Sequence, residues 1–88
     1  MANVRDLKKD INYVLGDIIG AVSIWELTNA EKDNKKSQGI IDEAITTFDE
    51  LIAKVNQKDV DNKKQHFTAV KAELEERGRK LIDQINSL

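Results

Sequence analysis

Apolar side chains recur every three or four residues along most of this 88-residue chain, and this spacing constrains the fold more than any other feature. At about 100° per residue, side chains spaced in this way lie along one side of an α-helix. A β-strand would show strict alternation instead, and no segment does so. Because the chain also lacks proline, which breaks helices, the pattern predicts an all-α protein.

Two polar interruptions divide the periodic pattern into three helices, expected at about residues 3–28, 34–56 and 60–87. Short joints make consecutive helices antiparallel, so we expect an up-down-up three-helix bundle. A chain of this length is enough for one domain and leaves nothing over for a second. We therefore assign residues 1–88 to a single three-helix domain, shaped as a rod.

The predicted helix ends depend on capping residues and polar segments. Asn3 is a suitable cap for the first helix, and either Asp59 or Asp61 is suitable for the third. The first joint is expected within the segment Asn29–Gly39, in which only Ala30 is apolar. We expect no buried helix face in this segment, although parts of it can extend either neighbouring helix.

The first helix carries two glycines, four residues apart, in the most apolar part of the chain, although each costs ~1 kcal/mol relative to alanine. Its main apolar stripe spans about 160° of the helix, enough to contact both other helices. Five residues cluster on the opposite side, within about 80° of one another. We call this set the glycine face: Tyr13, Gly16, Gly20, Ile24 and Leu27.

Two interpretations of the glycine face remain open. An apolar strip outside the core is typical of an interface, and two glycines allow a second backbone to come close. The simplest partner is a second copy, giving a homodimer, and another helical protein is possible in its place. Alternatively, the first helix is the most central one, and Gly16 and Gly20 accommodate bulky side chains of the same chain.

A third glycine, Gly78, lies at the edge of the apolar stripe of the third helix. In an up-down-up bundle the first and third helices are parallel, which places Gly78 near the level of Val22 to Trp25. We expect Gly78 to make room for the indole of Trp25. The alternative is a local kink in the third helix.

The charges are abundant but nearly balanced, with 14 basic and 16 acidic residues and a net charge of −2. This balance argues against general affinity for nucleic acid. A lysine-rich end of the bundle nevertheless suggests an alternative function, an adaptor for an anionic partner or nucleic acid. We call this set the basic end: Arg5, Lys8, Lys9, Lys58, Lys63 and Lys64.

No motif of the sequence indicates catalysis. The chain has no cysteine, so thiolate nucleophiles and thiolate metal sites are excluded, and His66 is the only histidine. One histidine does not form a ligand set, so we expect His66 to be a solvated surface residue. The numerous carboxylates are expected on solvated faces. We therefore predict a protein that is not an enzyme and has no metal site and no cofactor.

The apolar part of the first helix follows Lys8 and Lys9 as in a secretion signal, but we expect it to be neither a signal nor a membrane span. Asp17 and Glu26 interrupt it, and a span needs ~20 apolar residues. We expect a cytoplasmic protein that does not contact membranes.

Overall fold

Three α-helices form because the periodic apolar stripes of the sequence bury against one another. The computed structural model describes residues 4–88, so the predicted cap Asn3 lies outside the described residues. The helices are α1 (Val4–Thr28), α2 (Lys35–Val55) and α3 (Lys63–Asn86). Each helix packs against both others, which confirms the predicted all-α three-helix bundle. The described residues extend over 50 × 19 × 17 Å, the dimensions of a rod.

Side-chain contacts between helices establish their directions. Near the end of α1 and the start of α2, Gln38 donates a hydrogen bond to Glu26, with 2.7 Å between Nε2 and Oε2. At the same end, Gln84 of α3 donates to Glu43 of α2 at 3.0 Å. The last turn of α2 meets the first turn of α3 through His66. Consecutive helices are therefore antiparallel, as predicted.

The start of α3 differs from the prediction. Its N-cap is Asn62, whose side chain accepts a hydrogen bond from the backbone N–H of Gln65 at 3.1 Å. The predicted caps Asp59 and Asp61 are therefore wrong, and α3 begins three residues later than expected. All three side chains can cap a helix, so composition alone does not choose among them.

α2 begins at Lys35, within one residue of the predicted start at about residue 34, so part of the polar segment forms the first turn of α2. Within this first turn Ser37 is fully buried, contrary to the expectation that no buried face exists there. Its hydroxyl donates to the backbone carbonyl of Asn34 at 2.9 Å. A small side chain with a satisfied hydroxyl can be buried at little cost.

The core runs the full length of the rod. Among the described residues, no buried side-chain polar atom lacks a hydrogen-bond partner. The buried apolar side chains of the core come from all three helices: Leu7, Ile11, Leu15, Ile18, Val22, Ile40, Ala44, Leu51, Val55, Val70, Leu74 and Leu81.

Gly78 is buried, but its neighbour is Val14 and not Trp25. A Cβ atom added at Gly78 would lie 3.2 Å from Cγ1 of Val14, and no atom of Trp25 would lie within 4 Å. The predicted neighbour was wrong because α3 lies at a different level along α1 than expected. Ile85, near the end of α3, shares a cleft with Ala21 of α1. Trp25 follows Ala21 by about one helical turn and therefore lies beyond the level of Ile85. α3 remains one continuous helix through Gly78.

Candidate functional site: the glycine face of α1

The five residues of the glycine face are all exposed. The side chains of Tyr13, Ile24 and Leu27 are 64%, 65% and 81% exposed. At Gly16 and Gly20, an added Cβ would meet no side chain and no other helix of the described residues within 4 Å. The intramolecular interpretation, in which these glycines accommodate bulky side chains of the same chain, is therefore wrong.

The helical repeat of α1 explains why this face is exposed. Gly20 lies nine residues after Ile11, which is half a turn away around the helix, and Ile11 is completely buried. Leu15 and Val22 are buried on the same side as Ile11. Since α2 and α3 both pack against that side, neither covers the glycine face.

Two hydroxyls beside the glycine face are satisfied within α1. The hydroxyl of Ser23 donates to the carbonyl of Ile19 at 2.9 Å, and that of Thr28 donates to the carbonyl of Ile24 at 2.8 Å. Because these hydroxyls already have acceptors, they offer a partner few new donors. The face can therefore contribute apolar contact area and close backbone approach more than directed hydrogen bonds.

A shallow cleft of about 430 Å³ lies beside the glycine face, between α1 and α3. It is bordered by Asp17 and lined by Ile18, Ile82 and Ile85. Ile82 is 47% exposed and is not part of the apolar stripe predicted for α3. Its spacing of three from Ile85 was the signal that could have identified it. The apolar surface of this side therefore extends beyond α1.

The residues of the basic end lie at one end of the rod but not on one face. Lys58 and Lys63 border a cleft of about 490 Å³ together with Val4. By the helical repeat, Lys9 lies about 140° around α1 from Val4, toward the glycine face. Arg5, Lys9 and Lys64 are exposed, whereas Lys8 is half-buried. The residues of the basic end therefore face two different sides of the rod and do not form one continuous patch.

His66 is not the solvated residue that the sequence predicts. Its Nε2 lies 2.6 Å from the backbone carbonyl oxygen of Lys54, and its ring centroid lies 5.8 Å from that of Phe67. This contact joins the end of α2 to the start of α3. Within residues 4–88, no group of three or more histidine, cysteine, aspartate or glutamate side chains could hold a metal ion.

The most connected charges join α2 to α3, away from the glycine face. The Lys54 ammonium lies 2.5 Å from Glu73, and the Arg77 guanidinium lies 2.6 Å from Glu50 and 3.2 Å from Glu73. The hydrogen bond from Lys54, aided by Arg77 and opposed by partial burial, lowers the pKa of Glu73 below 4.5. Glu73 is thus held as an ionised, paired carboxylate.

None of the three helices in the described chain is long and apolar enough to cross a membrane. Comparison of the chain with models of known protein families, with curated proteins and with solved structures finds no match. The site must therefore be interpreted from its own residues.

Proposed function

We propose that this protein is a small non-enzymatic interaction module that self-associates through the glycine face of α1. One observation carries the proposal: three large apolar side chains, up to 81% exposed at Leu27, surround two glycines that no other helix of residues 4–88 approaches. Contiguous apolar surface of this kind on a small domain is typical of an interaction site.

The glycines support contact with a second copy for a physical reason. Each glycine in a helix interior costs ~1 kcal/mol relative to alanine, and neither glycine relieves crowding within the described chain. A missing side chain does, however, permit a second helix backbone to come close, so that Tyr13, Ile24 and Leu27 can pack around the contact.

The expected dimer is weak. Complete burial of a large apolar side chain is worth about 1.5–3 kcal/mol, and two copies contribute three such side chains each. This gain is opposed by a cost of about 4–15 kcal/mol for lost translational and rotational freedom. Because the gain and the cost are of similar size, we expect a dimer that dissociates on dilution.

Sedimentation equilibrium of the wild type and Gly20→Leu tests the proposal, with circular dichroism as the control for folding. An added Cβ at position 20 meets no other helix of the described residues, so we expect the fold to persist in Gly20→Leu. In the dimer, two leucines block the close approach. We expect the dimer to weaken about tenfold or more.

Gly39→Leu is the matched control. Gly39 is a helical, exposed glycine of α2 with equally open surroundings, so the same substitution there should leave the dimer unchanged. A wild type that remains monomeric at millimolar concentration would refute self-association. A dimer that dissociates steeply with added salt would indicate the basic end, because an apolar contact depends little on salt.

A further inference from the structure

We infer that two copies pack their α1 helices antiparallel, with the two-fold axis beside Gly20. This inference rests on the proposed function and specifies the geometry of the same face. In such a dimer, residues equally distant from Gly20 in opposite directions along α1 lie at the same level. The order of small, large and charged residues along the exposed face matches this arrangement.

Side-chain sizes are complementary about Gly20. Gly16 precedes it by four residues and Ile24 follows it by four, so a small residue meets a large one from the other copy. Tyr13 and Leu27 are each seven residues from Gly20 and also meet. Ile24 of one copy then enters the hole between Tyr13, Gly16, Asp17 and Gly20 of the other, as in coiled-coil packing.

Charges beyond the apolar contact distinguish the antiparallel from the parallel dimer. Lys9 precedes Gly20 by eleven residues, and Glu31 follows it by eleven, just after the end of α1. Both are exposed. The antiparallel arrangement places Lys9 at the level of Glu31 in the other copy, whereas the parallel one places Lys9 beside Lys9 and Asp17 beside Asp17. Like charges at an interface edge disfavour the parallel dimer.

Spin-label distances test this geometry directly. Because the chain has no cysteine, Asn12→Cys and Ser23→Cys each provide a single attachment site on the same exposed side of α1. At ~1.5 Å per residue, the antiparallel dimer separates the two Asn12→Cys labels by about 24 Å along the helix axis. It separates the two Ser23→Cys labels by only about 9 Å. Pulsed electron paramagnetic resonance on the two labelled variants measures this difference between the two label distances.

The outcomes separate this inference from the proposed function. A long Asn12→Cys distance with a short Ser23→Cys distance supports the antiparallel dimer. Equal distances at the two sites indicate a parallel dimer and overturn the inference, while the proposed function stands. If no distance between copies is detected and sedimentation shows a monomer, both the antiparallel arrangement and the proposed function are overturned.

A charge exchange provides a second measurement. Lys9→Glu should weaken the antiparallel dimer roughly three- to tenfold, because each copy then places like charges opposite Glu31. Adding Glu31→Lys should restore the wild-type affinity. Absence of rescue in the double variant would contradict the pairing of these two positions.

Discussion

The two sides of α1 are both apolar, yet they have opposite surroundings. On one side Leu15 and Val22 are almost inaccessible, whereas on the other Tyr13 and Leu27 are mostly exposed. The difference shows that hydrophobicity alone does not determine burial in a three-helix bundle. Two neighbouring helices cover one side of a third, and a further apolar side of that helix remains exposed.

The glycines show the same contrast on a finer scale. At Gly78 a Cβ atom would lie only 3.2 Å from Val14, so the glycine allows α1 and α3 to approach. At Gly16 and Gly20 the surroundings are open. Packing within the described residues therefore explains one glycine, and for the other two we propose packing between copies.

The largest expected effect is on the free energy of unfolding, when a leucine on either side of α1 is replaced by alanine. Leu15→Ala should lower the free energy of unfolding by about 2–5 kcal/mol, because it leaves a cavity in the core. Leu27→Ala should change it by no more than about 0.5 kcal/mol. Urea unfolding at low protein concentration, where the monomer predominates, measures both. Similar losses in the two variants would remove the distinction between the sides.

Substitution of glycine by leucine gives the next largest effect on the stability of the monomer, with opposite signs at Gly78 and Gly20. Gly78→Leu should destabilise the monomer by about 1–3 kcal/mol, because the side chain overpacks against Val14. Gly20→Leu should stabilise the monomer by about 0.5–1 kcal/mol through its greater helix propensity. Thermal and urea unfolding of dilute samples would contradict this account if Gly20→Leu were also destabilised.

The smallest effect concerns pH and distinguishes the charged α2–α3 edge from the glycine face. Because the folded-state pKa of Glu73 lies below 4.5, its pairing stabilises the fold above pH 4.5 and is lost as the pH falls through the folded value. Glu73→Gln should therefore cost about 0.5–1 kcal/mol at pH 7.

Urea unfolding of the wild type and Glu73→Gln at pH 7 and pH 3 measures this effect. The difference between the two proteins should shrink as the pH falls from 7 to 3, because the wild-type carboxylate is progressively protonated. A difference that persists unchanged at pH 3 would show that Glu73 acts through packing and not through charge.

Periodicity was sufficient to predict the number of helices, their approximate bounds and the grouping of the glycine face on one side of α1, because spacing determines which side of a helix each residue occupies. It left open whether that side is covered by the same chain. It was not sufficient to predict how far helices are shifted along one another. For this reason the neighbour of Gly78 was misassigned, since the level of α3 depends on how the whole core packs.

Local chemistry limited the prediction in the same way. Asn62, Asp61 and Asp59 are comparable caps, and the choice depends on where the first apolar turn of α3 meets the core. The burial of Ser37 and the contact of His66 with Lys54 each depend on a backbone carbonyl that sequence spacing does not locate. Ser37 and His66 were therefore misassigned because their partners are backbone atoms.

The concentration dependence of the four glycine amide signals tests the central claim most directly. In a heteronuclear NMR spectrum, Gly16 and Gly20 report on the glycine face, while Gly39 and Gly78 report on an exposed site of α2 and on the core. Our account predicts that the Gly16 and Gly20 signals shift as the protein is concentrated, and that the other two stay in place. Constant positions for all four signals up to millimolar concentration would contradict it.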